Sequence, residues 1–251
     1  MYDVRLRAEA RQLRRSGRTI ADIAGRLGVA PATVGRWVTR TFVTDRQPPA
    51  PCFTCDEPEF GPEVARSYAY LLGQYLGDGH LVTSARVPVL RIYACTDYPA
   101  IIDEIAAAIV VVRGTAPARM RAANSDRLCK VQSYWKHWPC LFPQHGPGRK
   151  HERPIVLAGW QQEIVDAHPW PLIRGLIHSD GCRAINRVTV RGVQYEYPRY
   201  FFANESADIL AIMGDALDRV GVAWRHNRPN SISIAKRAAV AALDEHVGPK
   251  R

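Results

Sequence analysis

The feature of this sequence that most restricts its fold is a pattern of ten residues that occurs twice. The first copy is residues 70–79 (YLLGQYLGDG) and the second is residues 172–181 (LIRGLIHSDG). Each copy is an apolar helical stretch with two small residues four positions apart, followed directly by Asp-Gly. Small residues at this spacing share one face of a helix and allow a second backbone to approach closely. The repeat therefore predicts two helices that pack against each other.

The two aspartates of the pattern are Asp78 and Asp180. Each stands at the C-terminal end of its helix, where the helix dipole disfavours a carboxylate by about 0.3–1 kcal/mol. Gly79 and Gly181 are expected in the left-handed conformation that ends a helix. Because packing of the helices brings two carboxylates together, the pair predicts a compensating cation, and hard oxygen ligands favour Mg²⁺. The alternative is that each aspartate only satisfies amides of the following loop.

These two segments resemble the paired signature helices of the LAGLIDADG homing endonucleases, in the single-chain form with two motifs. The resemblance covers most of residues 63–251. It implies an α+β fold of two pseudo-symmetric αββαββα halves, at about 63–150 and 166–251, with antiparallel sheets that form a saddle over double-stranded DNA. It also implies that Asp78 and Asp180 bind two or more divalent metal ions, and that one chain acts as a monomeric pseudo-dimer.

In that family a lysine near the metal ions assists the reaction. Lys136 and Lys236 are the candidates here, because each follows the later predicted strand of its half. A solvated surface role is the alternative for both lysines. Four arginines on or beside predicted strands are candidates for contacts with phosphates or base edges, against an ordinary surface role: Arg91, Arg187, Arg191 and Arg199.

The pattern between and after the motifs predicts further elements. A strand is expected at 87–94, and a helix at 100–111 with Thr96 or Asp97 as its N-cap. After the second motif a hairpin is expected within 188–203, followed by a helix that Asn204 or Ser206 caps. Later strands are expected at 129–134 and 231–235.

Residues 1–42 predict an all-α helix-turn-helix domain. Thr19 is a suitable N-cap, Gly28 breaks the first helix and Pro31 suits the first turn of the next. The segment resembles bacterial helix-turn-helix domains, whose second helix meets major-groove bases. A structural helical hairpin is the alternative. The outward residues of that helix, which are the candidates for DNA contact, are Ala32, Thr33 and Arg36.

Residues 43–62 are rich in proline and predict a semi-rigid linker. Within it, Cys52 and Cys55 have the spacing of half a zinc site, with two free thiols as the alternative reading. The formal charge of the chain is +10, and residues 1–46 hold ten arginines against four acids. Such a concentration favours a polyanionic partner. No apolar run reaches the length of a membrane span, and we expect a cytoplasmic, nucleoid-associated protein with no membrane partner.

Together these features predict a sequence-specific protein that binds double-stranded DNA and acts as a Mg²⁺-dependent endonuclease. The alternative is a transcription regulator that binds DNA through a core of this kind without cutting it. A fold alone does not choose between these two activities.

Overall fold

A computed structural model of the chain describes residues 4–39, 58, 60–122, 125–248 and 250. The chain divides into two compact units, Met1–Ala50 and Pro51–Arg251. Cys52 and Cys55, the proposed zinc ligands, lie outside the described residues. Among the helices that are described, none combines the length and the apolar character needed to span a membrane.

The first unit contains α1 (Val4–Arg15), α2 (Ile20–Leu27) and α3 (Pro31–Thr39). Thr19 caps α2, because its side chain accepts a hydrogen bond from the Asp22 amide and the Asp22 carboxylate accepts one from the Thr19 amide. Gly28 ends α2 with φ 63°, a left-handed conformation that glycine adopts without strain. The three helices bury a small core of their own, formed by Ala10, Ile23, Ala24, Val29, Val34 and Trp37.

The second unit consists of two halves with the same order of elements. The first half contains α4 (Pro62–Leu76), β1 (Gly79–Val82), β2 (Val89–Cys95), α5 (Pro99–Arg113), β3 (Ala118–Ala122), β4 (Ser125–Tyr134) and α6 (Trp138–Leu141). A short 3₁₀ turn at Lys150–Glu152 and α7 (Gly159–Ala167) connect the halves. The second half contains α8 (Pro169–Asp180), β5 (Gly181–Val190), β6 (Val193–Ala203), α9 (Ala207–Arg219), β7 (Arg225–Arg228), β8 (Ser231–Ile234) and α10 (Arg237–His246).

Each half forms a four-stranded antiparallel sheet, in the order β1-β2-β4-β3 and β5-β6-β8-β7. The predicted α+β class with two αββαββα halves is therefore confirmed. One continuous hydrophobic core joins the helices to one face of each sheet. The opposite face of each sheet carries polar and exposed side chains, as an antiparallel sheet with one buried face requires.

The two motif helices, α4 and α8, pack at their glycines. A Cβ atom on Gly73 would lie 2.6 Å from the carbonyl oxygen of Leu172, and one on Gly175 would lie 3.0 Å from the Cα of Gly73. Neither contact leaves room for a side chain, so the small residues set the distance between the helices. This contact holds the two halves together and brings the ends of the motifs to one place.

Gly79 and Gly181 differ from the sequence expectation. Neither is left-handed; Gly181 has φ −101° and ψ 170°, and both residues begin strands. Each strand instead turns back across the end of its helix, where a Cβ on Gly79 would lie 2.5 Å from the Cα of Tyr75. The glycines are thus required by close approach of backbone segments, and the expected conformation was wrong.

Other boundaries also differ from those predicted. Tyr98 is the N-cap of α5, because Pro99 occupies the first turn, and neither Thr96 nor Asp97 caps the helix. Ser206 caps α9, as one of the two expected alternatives. The hairpin of the second half is longer than expected, because β5 begins immediately after Asp180. The edge strands β3 and β7 were not predicted, since almost every residue in them is exposed and shows no alternation.

Candidate functional site

The candidate site lies where α4 and α8 end. Asp78 follows the last turn of α4, and Asp180 is the last residue of α8. A Cβ on Gly77 would lie 3.1 Å from Oδ2 of Asp180, so the residue before the first acid is in contact with the second acid. The structure thus brings together the two aspartates that the sequence singled out.

The environment of the two carboxyl groups favours their neutral forms. The pKa of Asp78 is raised to about 6, first by partial removal from water and second by the charge of Asp180. The pKa of Asp180 is also raised, first by removal from water. Asn204 opposes this shift, because its Nδ2 donates a 2.7 Å hydrogen bond to Oδ2 of Asp180. Two carboxylates held in this way attract a cation.

Lys150 lies at the C-terminal end of α4. Its ammonium group donates hydrogen bonds to the carbonyl oxygens of Leu76 (2.9 Å) and Gly77 (2.8 Å), and to that of Tyr75. Burial lowers the pKa of Lys150 to about 8, while the charges of Asp180 and Asp78 act in the opposite direction. The lysine therefore compensates both the helix dipole and the acid pair.

Lys250 occupies the matching place at α8. Its Nζ donates a 3.0 Å hydrogen bond to the carbonyl oxygen of Ser179, the residue before Asp180. Burial lowers the pKa of Lys250, whereas Asp78 and Asp180 favour its charged form. One lysine ammonium group therefore donates hydrogen bonds to the C-terminal end of each motif helix.

Lys136 and Lys236, the lysines expected near the metal ions from the sequence, lie elsewhere. Lys136 is exposed and follows the end of β4 that pairs with Val89, the first residue of β2. Asp78 lies toward the other end of β2, where its carbonyl oxygen accepts a hydrogen bond from the amide of Tyr93. Lys236 is exposed and follows β8, whose last residue pairs with Tyr200 of β6. The start of β5, next to Asp180, lies beside a different residue of β6, Phe202. The strand registers therefore place both residues away from the acids, and Lys150 and Lys250 lie beside them.

Lys150 had one signal in the sequence. It ends the Gly-Pro-Gly-Arg-Lys turn at residues 146–150, just before the second motif. Its contact with the end of α4 spans more than seventy positions of chain, which no local pattern reveals. Lys250 had no comparable signal, because it lies beyond the last helix, outside any repeated pattern.

A cleft of about 620 Å³ opens beside Asp180, and Asn204, Lys150 and His80 also contribute to its walls. Asp78 lines a separate cavity of about 210 Å³, together with Lys250. His80 stacks on Tyr93, with ring centroids 5.8 Å apart and planes 7° from parallel. Partial burial lowers the pKa of His80, and the cations Arg91 and Lys150 lower it further. The imidazole is therefore held neutral in a fixed orientation at the edge of the site.

The predicted DNA-contacting arginines occupy different environments. Arg91 and Arg199 are half-buried on the outer faces of the two sheets, and within the described part of the chain their Nε atoms have no hydrogen-bond partner. Arg187 is exposed and pairs with Glu196 at 2.8 Å. Arg191 lies in the turn of the β5–β6 hairpin with φ 51°. On α3, Ala32 and Arg36 are exposed and Thr33 is half-buried.

The donors at the site fit a divalent cation of the hard type. Asp78 and Asp180 supply carboxylate oxygens, whereas the carbonyl groups at the end of α4 already accept hydrogen bonds from Lys150. Among the described residues, no group of three or more His, Cys, Asp or Glu side chains forms a metal-binding cluster.

No family model and no curated protein sequence matches the chain. Among solved structures, it is similar to the homing endonuclease I-DmoI in complex with DNA and Mn, at TM-score 0.47 and 15% identity, covering 75% of this chain and 99% of that chain. It is similar to the LAGLIDADG meganuclease I-AabMI bound to uncleaved DNA (TM-score 0.45, 10% identity, 74% and 83% covered). It is also similar to the N-terminal LAGLIDADG domain of DUF199/WhiA (TM-score 0.46, 13% identity, 78% and 89% covered). Two of the three neighbours, I-AabMI and DUF199/WhiA, carry the name LAGLIDADG.

Proposed function

We propose that this protein binds double-stranded DNA at a specific sequence and hydrolyses one phosphodiester bond in each strand, with help from divalent metal ions. The observation that carries the proposal is the convergence of Asp78 and Asp180 at the ends of two packed helices, each with a lysine beside it. One acid and one lysine per half provide two equivalent sets of groups. Two sets suit a substrate with two antiparallel strands.

Asp78 and Asp180 are the residues that would hold the metal ions, Mg²⁺ in this proposal. When bound, such ions lower the pKa of a water molecule and neutralise charge on the scissile phosphate. Removal from water and, second, the charge of Asp180 raise the pKa of Asp78, so a cation bound by the two carboxylates removes an unfavourable interaction. Asn204 holds one oxygen of Asp180, which fixes the direction of its carboxylate.

The side chains around the acids suit the remaining tasks of phosphodiester hydrolysis. Lys150 and Lys250 are held by helix carbonyls, so their ammonium groups are fixed beside the acids and stabilise negative charge that develops on phosphate oxygens. His80 is held by Tyr93, and its neutral ring can accept a hydrogen bond from water.

The proposed DNA surface is the outer face of the two sheets, with α3 of the first unit as a second contact. Arg91 and Arg199 lie half-buried on these sheet faces, where their guanidinium groups suit hydrogen bonds to phosphate or base acceptors. Arg36 is exposed on α3 and suits the same partner. Because one chain contains both halves, it acts as a monomer, and we place it on the nucleoid in the cytoplasm.

One observation favours a second candidate function, a transcription regulator that binds DNA without cutting it. Lys150 and Lys250 already supply positive charge at the acid pair, and the pKa shifts of the acids show their opposing effect. The acids can therefore be compensated within the protein. In that case the motif ends serve only to join the two halves.

Selection of bound duplexes from a random library, followed by incubation with Mg²⁺ and a denaturing gel, separates the two functions. Paired nicks within the selected site are expected, and Asp78→Asn should abolish them while leaving the affinity for DNA unchanged. Asp215→Asn, at an exposed aspartate of α9, is the matched control and should cut normally. Tight binding with intact strands in the wild-type protein would establish the regulator in place of the nuclease.

A further inference from the structure

The β5–β6 hairpin extends beyond the sheet to which it belongs. β6 pairs with β8 only from Tyr200 to Ala203, whereas β5 and β6 pair with each other from Gly181↔Phe202 out to Val190↔Val193. Residues 185–198 therefore form a two-stranded ribbon, whose six residues per strand span about 20 Å. A tight turn at Arg191 (φ 51°) and Gly192 (φ 78°) closes it.

The two faces of this ribbon differ in chemistry. The face continuous with the buried residues Tyr200 and Phe202 is mainly polar toward the tip, and Arg187 and Glu196 form an ion pair on it. The opposite face, which we term the outer ribbon face, holds no charged residue. Its members are Asn186, Val188, Val190, Val193, Tyr195 and Tyr197.

Five of these side chains are apolar or aromatic and face solvent. Val188, Val190 and Val193 are 37–54% exposed, and Tyr195 and Tyr197 are 43% and 50% exposed. The two tyrosine rings stack with centroids 6.3 Å apart and planes at 18°, so the patch is ordered. A contiguous apolar patch of this kind marks a contact surface for another molecule.

Position and shape identify the occupant as DNA. The outer ribbon face continues along the same strands into Arg199 and Phe201, and β5 starts directly beside Asp180. The patch is therefore an extension of the proposed DNA surface. A two-stranded β-ribbon also fits the width of the major groove of B-form DNA.

In the major groove only one base edge presents a methyl group, namely the C5 position of thymine. We propose that the outer ribbon face reads thymine methyl groups in one half of the DNA site, an inference that rests on the proposed DNA-binding function. The first half has no such ribbon, because β1 and β2 pair only over Gly79–Val82 and β2 is paired with β4 along its length. Its outer face mixes the polar His80, Arg91 and Gln132 with the exposed Met120, Leu128 and Tyr134. The half-site beside β5 and β6 is therefore the one expected to depend most on thymine.

Uracil in place of thymine tests this inference, because it removes the methyl group and leaves base pairing intact. On the selected duplex, replacement in the half-site of the ribbon should weaken binding about fourfold for each methyl group removed. Replacement in the other half-site should weaken binding by less, because no ribbon projects from the first half. Fluorescence anisotropy with the full-length protein measures both.

Two variants connect the effect to the ribbon. Val188→Ser should weaken binding to the thymine duplex and abolish the difference between thymine and uracil. Thr189→Ser, at the neighbouring position on the opposite face, should retain that difference. 5-Methylcytosine at cytosines of the same half-site should be tolerated, since it presents a methyl group at the same position.

The possible failures can be told apart. If no duplex is selected, the proposed DNA-binding function is wrong. If duplexes bind equally with thymine and uracil, DNA binding stands and the methyl readout is overturned. If sedimentation shows a dimer that Tyr195→Ser dissociates without changing the affinity for DNA, the face contacts a second copy and the inference is overturned.

Discussion

The ammonium group of Lys150 lies 2.8 Å from the carbonyl oxygen of Gly77, the residue directly before Asp78. A cation at this position stabilises the negative end of α4 and the carboxylate that follows it. Lys250 has the same relation to Ser179 and Asp180. The acids and lysines of the two halves therefore form one electrostatic unit.

Removal of Lys150 should change the titration of the acids. In Lys150→Met the pKa of Asp78 should rise above its value of about 6, by on the order of one unit, because a nearby positive charge is lost. Carboxyl ¹³C chemical shifts followed by NMR measure this directly. Lys136→Met, at an exposed lysine, is the control. An equal shift in both variants would exclude the assignment of Lys150 to the site.

The stability of the metal-free protein should depend on Asp78 in a defined pH window. Its pKa is raised from 3.8 in the unfolded chain to about 6 in the fold, so the folded state binds more protons between these values. Stability is therefore lost as the pH rises through this window. Asp78→Asn should be more stable than the wild type at pH 8 by up to about 1 kcal/mol, after allowance for solvent screening, and not at pH 3.5. Urea unfolding in EDTA checks both values.

The helix interface should not accept a side chain at Gly175. Gly175→Ala forces backbone atoms of α4 and α8 apart, and we expect a loss of about 1–3 kcal/mol in the free energy of unfolding. Gly159→Ala is the matched control, because a Cβ there meets no atom within 4 Å. Urea denaturation followed by tryptophan fluorescence compares them. Similar stabilities for the two variants would contradict the packing described for the motif helices.

Arg174 should hold the segment that carries Lys250. Its guanidinium pairs with Glu104 at 2.7 Å and also donates to the carbonyl oxygens of His246 and Val247 at the end of α10. Arg174→Met should cost about 1–2 kcal/mol of stability. It should also accelerate hydrogen exchange of the Val247 and Gly248 amides by about tenfold or more.

Arg187→Met is the control for this variant, since it removes an exposed ion pair with Glu196. It should cost less than about 1 kcal/mol and leave exchange at α10 unchanged. If Arg174→Met leaves the exchange of Val247 and Gly248 unchanged as well, Arg174 does not position this segment.

The first unit should contribute to DNA affinity through Arg36. If the side chain reads a base, Arg36→Ala should weaken binding by about 1–3 kcal/mol. If it contacts a phosphate, the slope of log affinity against log salt concentration should fall in magnitude by about one. Arg26→Ala, at an exposed arginine of α2, is the comparison. Anisotropy titrations at several salt concentrations separate the two modes of contact. Unchanged affinity and salt slope in Arg36→Ala would leave the first unit without a role on this DNA.

Local periodicity along the chain was sufficient to predict several of these features. Small residues at Gly73 and Gly175 predicted the contact of the motif helices, because spacing along a helix fixes which residues share a face. Because each aspartate follows its helix at the same position, this contact also predicted that Asp78 and Asp180 lie close together. Thr19 and Gly28 predicted the bounds of α2, since capping depends on residues within one turn.

Features that depend on contacts between residues far apart in the chain could be seen only in the folded protein. Gly79 and Gly181 are required by strands that cross the helix ends, a constraint that sequence cannot distinguish from a left-handed helix end. Lys150 reaches the end of α4 only because the chain between β4 and α8 folds back to it. Lys136 follows a strand as expected, yet the register of β4 sets it away from the acids. Register and chain reversal are set by the packing of the whole core. For this reason the convergence of Asp78 and Asp180 could be predicted from the sequence, whereas the positions of Lys150 and Lys250 beside them could not.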